Sequence, residues 1–157
     1  MNGGREMGGL DWETAFSVSG MAAMIGWLIL VLGPRRIPWL RDVRRLAIPF
    51  LFGLSYAALA LPGFFGSEDG GYGSLAEVRA LLATDAMLLA GWQHYLAFDL
   101  LVGAWAATRL DAARVSRLIQ APILLAIFMF GPAGFVLSVI TEAAAARTGR
   151  GAERAAT

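Results

Sequence analysis

Four stretches of the chain carry almost no charge, and the charged residues gather in the segments between them. The first covers 14–33 and is closed by Gly33-Pro34, a helix-stopping pair. The second covers 46–65, with Pro49 in its first turn, where a missing N–H costs little, and Pro62-Gly63 near its exit. The third, 86–108, contains Gln93, His94 and Asp99, and the fourth, 118–141, has Pro122 early and Gly131-Pro132 in its middle. A hydrocarbon core about 30 Å thick takes about 20 apolar residues per helical crossing, so each stretch is long enough to span once and too short to span twice. The pattern predicts an all-α fold, a polytopic integral membrane four-helix bundle flanked by tails over 1–13 and 142–157.

The segment between the second and third stretches has structure of its own. Gly70-Gly71-Tyr72-Gly73 leads into Ser74-Leu75-Ala76-Glu77, which fits a capping box: Ser accepts from the third backbone N–H of a helix and Glu reaches back. A short extra helix is expected there. Leu75, Val78, Leu81 and Leu82 fall on one side of it, which suits a connector that lies in the headgroup plane or caps the bundle.

Orientation follows from Arg counts in short loops. Arg35, Arg36, Arg41, Arg44 and Arg45 lie between the first two stretches, and Arg109, Arg114 and Arg117 between the last two, so both loops are expected in the cytoplasm. The loop 66–85 has Arg79 against Glu68, Asp69, Glu77 and Asp85, so it faces outward together with the N-terminus. The expected location is the cell (inner) membrane, crossed several times. Residues 1–13 are Gly-rich and acidic, unlike a basic signal-peptide start, so the first stretch is expected to insert directly and uncleaved. One feature resists the scheme: four crossings leave the C-terminal tail outside, yet it carries Arg147, Arg150 and Arg154. A re-entrant fourth segment would put the tail inside.

Composition agrees with the pattern. Of 157 residues 57% are hydrophobic and 16% charged, with mean hydropathy +0.60, against roughly 45–50% and about 25% in soluble domains. The bilayer is thus the expected partner. All thirteen basic residues are Arg and they form no basic stripe, so no nucleic-acid partner is expected. Cys is absent and His occurs once, which removes disulfide scaffolds, thiol catalysis, iron–sulfur clusters, Cys/His zinc sites and bis-His haem within one subunit. No cofactor is expected, and no metal, because Asp99 with His94 is too thin a ligand set unless a second subunit completes it.

An ionisable group at the centre of hydrocarbon costs about 2.5–3.5 kcal/mol on insertion scales, so Asp99 and His94 need a reason. Both fall within roughly 5 Å of the middle of the third stretch, about 140° apart around the helix. Trp92 and Tyr95 share the side of Asp99, while Phe98 and Trp105 flank the side of His94. A helix polar on both sides belongs in the middle of a bundle. Polar groups available to meet the pair are Ser17 and Ser19, Ser55 and Tyr56, Gln120 and Ser138. A carboxyl beside a Tyr and an imidazole facing elsewhere suit acid–base work on an apolar substrate. Asp99 and His94 are therefore the catalytic candidates, and Trp92, Gln93, Tyr95 and Trp105 the substrate-binding candidates. The competing reading makes the polar pair interhelical packing glue, contributing about 0.6 kcal/mol each.

The run Gly91-Trp92-Gln93-His94-Tyr95-Leu96-Ala97-Phe98-Asp99-Leu100, followed by Gly103 and Trp105, resembles the signature of the abscisic acid deficient four-like family of small membrane proteins. Gly26-Trp27 with Pro34, Gly73-Ser74-Leu75 and Phe130-Gly131-Pro132-Ala133-Gly134 are similar to that family too, so the resemblance covers about Ala15 to Ile140. Plant members are implicated in forming neoxanthin from violaxanthin, an isomerisation that opens a xanthophyll epoxide and creates an allene. The resemblance therefore implies a carotenoid or isoprenoid-lipid ligand. Such chemistry needs an acid for the epoxide oxygen and a base for a polyene proton, and Asp99 and His94 are the residues here with those capacities. Three readings follow: an isomerase-type membrane enzyme; a non-catalytic protein that binds pigment or supports a membrane enzyme partner; and, third, a small transporter formed as a homo-oligomer.

Overall fold

The computed structural model describes residues 11–34 and 37–155. The first ten residues of the expected N-terminal tail, with Arg35 and Arg36, lie outside them. The described residues are all-α, with no strand among them. Helix α1 covers Trp12–Leu32, α2 Pro38–Asp42, α3 Ile48–Phe65, α4 Leu75–Leu81, α5 Asp85–Ala112, α6 Arg117–Phe130 and α7 Pro132–Ala155. A π-helical turn, Val43–Ala47, joins α2 to α3. Pro49 explains that turn: it has no N–H for the Arg45 carbonyl and its ring crowds that carbonyl, so the helix widens just ahead of it. Much of the Arg-rich segment expected as a loop is thus helical.

Two compact units make up the chain. One takes the described residues up to Ile25 together with Leu46–Phe98, and the other takes Gly26–Arg45 together with the residues from Asp99 onward. In the first unit, α3, α4 and α5 bury Leu59, Ala60, Leu81, Met87, Leu89 and Ala90 in one cluster, against which Trp12 and Ala15 of α1 pack. A second cluster joins Ala23, Phe52, Leu96 and Ala97. The expected outer-loop helix is α4. The Ser74 hydroxyl accepts from the Glu77 N–H at 3.2 Å, and Glu77 reaches one residue further back than the simple box, accepting from the Gly73 N–H at 2.9 Å. Of its apolar side, Leu81 enters the core while Leu75 is exposed.

In the second unit the fourth stretch departs from expectation. Residues 118–141 do not form one crossing helix: α6 ends at Phe130, Gly131 takes φ +26 and ψ −88, and Pro132 starts α7. A positive φ favours Gly, and Pro suits a helix's first turn, where no N–H is needed. Gly134 lets α7 fold back, since a Cβ there would strike the backbone of Ala126 and Ile127. The result is a helical hairpin. Its tip, Gly131, lies beside Asp99 of α5, and its returning arm brings Glu142 to Arg109, ten residues further along α5. The lengths agree, about 15 Å from Asp99 to Arg109 and about 16 Å from Gly131 to Glu142 at 1.5 Å per residue. Arg117, at the start of α6, donates to the Gly33 carbonyl at 2.9 Å, so the hairpin begins at the end where α1 finishes. Helix α7 then continues through most of the segment read as a tail.

Among the described residues, two helical segments are long and apolar enough to cross a membrane, Trp12–Leu32 and Arg45–Phe65. Only 28% and 22% of their most apolar windows are buried, far less than a soluble protein's core helix would show. Helix α5, with 28 residues, has the length, but Asp85, Gln93, His94, Asp99, Arg109 and Asp111 dilute its hydropathy.

Candidate functional site

The richest site lies in the first unit, where α1 and α5 begin. Trp12 and Phe16 stand four positions apart on α1, hence on one side of it, and Trp92 and Tyr95 stand three apart on α5. The Trp92 and Tyr95 rings stack with centroids 5.4 Å apart and planes at 25°, and Phe16 meets Trp92 at 5.5 Å. With Leu82, Leu88 and Leu89 these rings wall a cavity of about 740 Å³. Asp11, Glu13 and Asp85 line it as well, at the first turns of α1 and α5, so the two helices run in the same direction. The Thr14 N–H donates to Asp11 Oδ1 at 2.6 Å and holds that carboxyl below the ordinary carboxylate value. The walls suit an apolar, flat ligand and the acidic mouth a polar end group.

Gln93 lies elsewhere on α5. It is buried, and its Nε2 donates to Ser19 Oγ at 2.9 Å, which in turn donates to the Ala15 carbonyl at 2.8 Å. It is thus part of the α1–α5 contact and does not line the cavity. His94 is exposed: its ring stacks on Phe98 at 4.5 Å and meets the Tyr56 ring of α3 at 5.5 Å. The expectation that α5 is enclosed on all sides because it is polar on two is corrected. Its buried positions, among them Ala90, Gln93, Ala97, Leu100, Ala104 and Ala107, recur every three to four residues along one face. Small side chains let neighbours pack there, while Trp92, His94, Tyr95, Phe98 and Trp105 face outward.

Asp99 belongs to the second unit. It is half-buried, and its carboxylate lies so close to Gly131 that a Cβ there would be 2.7 Å from Oδ1. Trp105 is in that unit too, its ring 5.5 Å from Phe135 and under the Arg109 guanidinium. Arg109 pairs with Glu142, whose hydrogen bond and charge push the guanidinium further up its already high range. Of the six candidates, then, Trp92 and Tyr95 line the cavity with each other, Gln93 and His94 occupy separate surroundings in the same unit, and Asp99 and Trp105 lie in the other.

Sequence reasoning did not find Trp12 and Phe16. Their four-residue spacing was a usable signal, masked because Trp12 sits in the acidic lead-in and reads as tail. A family profile described as ABA DEFICIENT 4-like matches residues 14–137. The chain belongs to the ABA4-like family. The matched region takes in Phe16, Trp92, Tyr95, His94, Asp99 and the tip of the hairpin, so both units carry ABA4-like sequence. No curated protein and no solved structure matches the chain.

Proposed function

We propose that this ABA4-like chain is a multi-pass membrane protein that binds a carotenoid or related isoprenoid in the aromatic cavity at the start of α1 and α5. The observation that carries the reading is the cavity itself: Trp12, Phe16, Trp92 and Tyr95 offer flat apolar walls, and about 740 Å³ falls in the range of about 300–1,000 Å³ usual for ligand sites. The carboxylates of Asp11, Glu13 and Asp85 accept hydrogen bonds, which suits a hydroxylated end ring.

The membrane part of the reading is supported by the apolar surface. Met21, Ile25 and Leu28 on α1, Phe50, Leu51 and Leu54 on α3, and Leu125, Met129, Val136 and Ile140 on the hairpin are all exposed, far more than water tolerates on one small protein. In this arrangement α1, α3 and α5 cross the bilayer, and the α6–α7 hairpin enters and leaves on one side. Broken helices occur at membrane depth where neighbouring protein covers the break, as α5 does here. The start of α1 and all of α4 then lie on the outer side of the cell membrane. Three crossings put the tail inside with Arg147, Arg150 and Arg154, which removes the conflict with the Arg rule.

A second reading, acid–base isomerisation by His94 and Asp99, is favoured by the exposed imidazole beside Tyr56. Binding is the stronger reading because neither His94 nor Asp99 lines the cavity. Extraction from a carotenoid-producing host in mild detergent tests it. A polyene absorption band that travels with the protein is the expected result, and a clean spectrum across several such hosts contradicts it. Comparing His94→Gln and Asp99→Asn pigment profiles at equal protein abundance tests catalysis: lost product supports it, and an unchanged profile excludes it.

A further inference from the structure

A second, smaller cavity of about 250 Å³ opens in the second unit between Arg45, Leu101, Trp105, Thr108 and Arg109. Its chemistry is opposite to that of the first. Arg45 is exposed in the π-helical turn ahead of Pro49, a deviation from regular helix that often marks functional positions. Arg109 is held from two sides. Its Nε donates to Glu142 Oε2 at 3.1 Å and its Nη2 lies 2.5 Å from Oε1, while Cζ stands 6.0 Å above the Trp105 ring. A guanidinium has five N–H donors, and Glu142 takes two of them, which leaves three in a fixed fork. The Thr108 hydroxyl donates to the Ala104 carbonyl at 2.8 Å, so it turns acceptor lone pairs to its surroundings.

Glu142 neutralises Arg109, and Arg45, which makes no ion pair among the described residues, adds a positive charge at the cavity. A single negative charge therefore completes the site. The fork geometry fits the paired oxygens of a phosphate, the Thr108 oxygen fits a hydroxyl next to it, and Leu101 and Trp105 give an apolar wall for whatever hydrocarbon is attached. We propose that this cavity binds a phosphate-bearing monoanion, carried on a membrane lipid headgroup or free in solution. Basic pockets between membrane helices hold lipid phosphates by the same physics. The site is independent of the aromatic cavity and of any carotenoid.

The test uses the full-length protein in a neutral detergent, with dissociation constants read from tryptophan fluorescence during titration with short-chain phosphatidylglycerol, short-chain phosphatidylcholine and inorganic phosphate. Phosphatidylglycerol is expected to bind more tightly than phosphatidylcholine, and Arg45→Gln to weaken it about fivefold. Glu142→Gln leaves Arg109 uncompensated and should tighten binding instead. It also decides the matter should Arg45→Gln fail to fold. If inorganic phosphate alone shows these dependences, the site stands with a soluble anion as its ligand. Titrations that neither substitution moves, or an Arg45→Gln effect equal for the anionic and zwitterionic lipids, overturn the proposal.

Discussion

The Asp99 carboxylate fills the space a side chain at Gly131 would need, and Gly131 is the residue at which the fourth apolar stretch breaks. A methyl group at 131 would meet Oδ1 at 2.7 Å and would also force a side chain into φ +26. Gly131→Ala is therefore expected to destabilise by about 1–3 kcal/mol, lowering the melting temperature in detergent by several degrees. Part of that loss is the clash. Asp99→Ala should make the second substitution cheaper, so the double variant should be more stable than the two single losses predict. Strict additivity would show that the two residues do not touch.

The hairpin also makes a topological prediction. Because the chain has no Cys, a single Cys introduced at Ser67, Ser116 or Thr148 reports its side of the membrane through labelling by an impermeant maleimide. Ser67→Cys should label from outside intact cells, and Ser116→Cys and Thr148→Cys only after the membrane is opened. Labelling of Thr148→Cys from outside would restore four full crossings.

The all-α class was legible because long apolar stretches without strand alternation favour helices, and because Ser74 and Glu77 announce a helix start by hydrogen-bonding chemistry; the number of helices was not, since the four stretches became seven helices among the described residues. The break was visible too, as Gly131-Pro132. What the pattern alone lacks is the direction of the chain after it, which depends on Gly134 letting two backbones touch and on Glu142 meeting Arg109. The candidate site was legible in part: Trp92 and Tyr95 lie on the walls, whereas Trp12 and Phe16 come from a helix 80 residues earlier, and no local spacing relates the two pairs. Asp99 and His94 drew attention by their cost in hydrocarbon, but cost says nothing about which neighbour meets them.

Within the first unit, Gln93 and Ser19 form a buried pair whose loss is asymmetric. Ser19→Ala strands the Gln93 amide and should cost about 1–3 kcal/mol. Adding Gln93→Leu removes the stranded group and should recover most of that loss. Chemical unfolding in detergent of the two single variants and the double variant measures the coupling, and a double variant less stable than Ser19→Ala would contradict the hydrogen bond.

Asp11 gives a pH dependence. Its folded carboxyl titrates below the unfolded one because the Thr14 N–H stabilises the anion. The contribution is therefore present above the unfolded value and lost as pH falls through the folded one. Protection of the Thr14 amide, its exchange rate measured against the unprotected rate at the same pH, should fall over that acid window, and in Asp11→Ala it should be low at every pH.

The proposed seat of a polyene-class ligand, between the aromatic residues of α1 and α5, is read from the ratio of pigment to protein absorbance after purification. Trp92→Ala should reduce that ratio several-fold at unchanged protein yield, while Trp105→Ala, whose indole lies outside the aromatic cavity, should leave it near the wild-type value. Equal retention in both variants, or a greater loss in Trp105→Ala than in Trp92→Ala, would contradict the placement of the ligand.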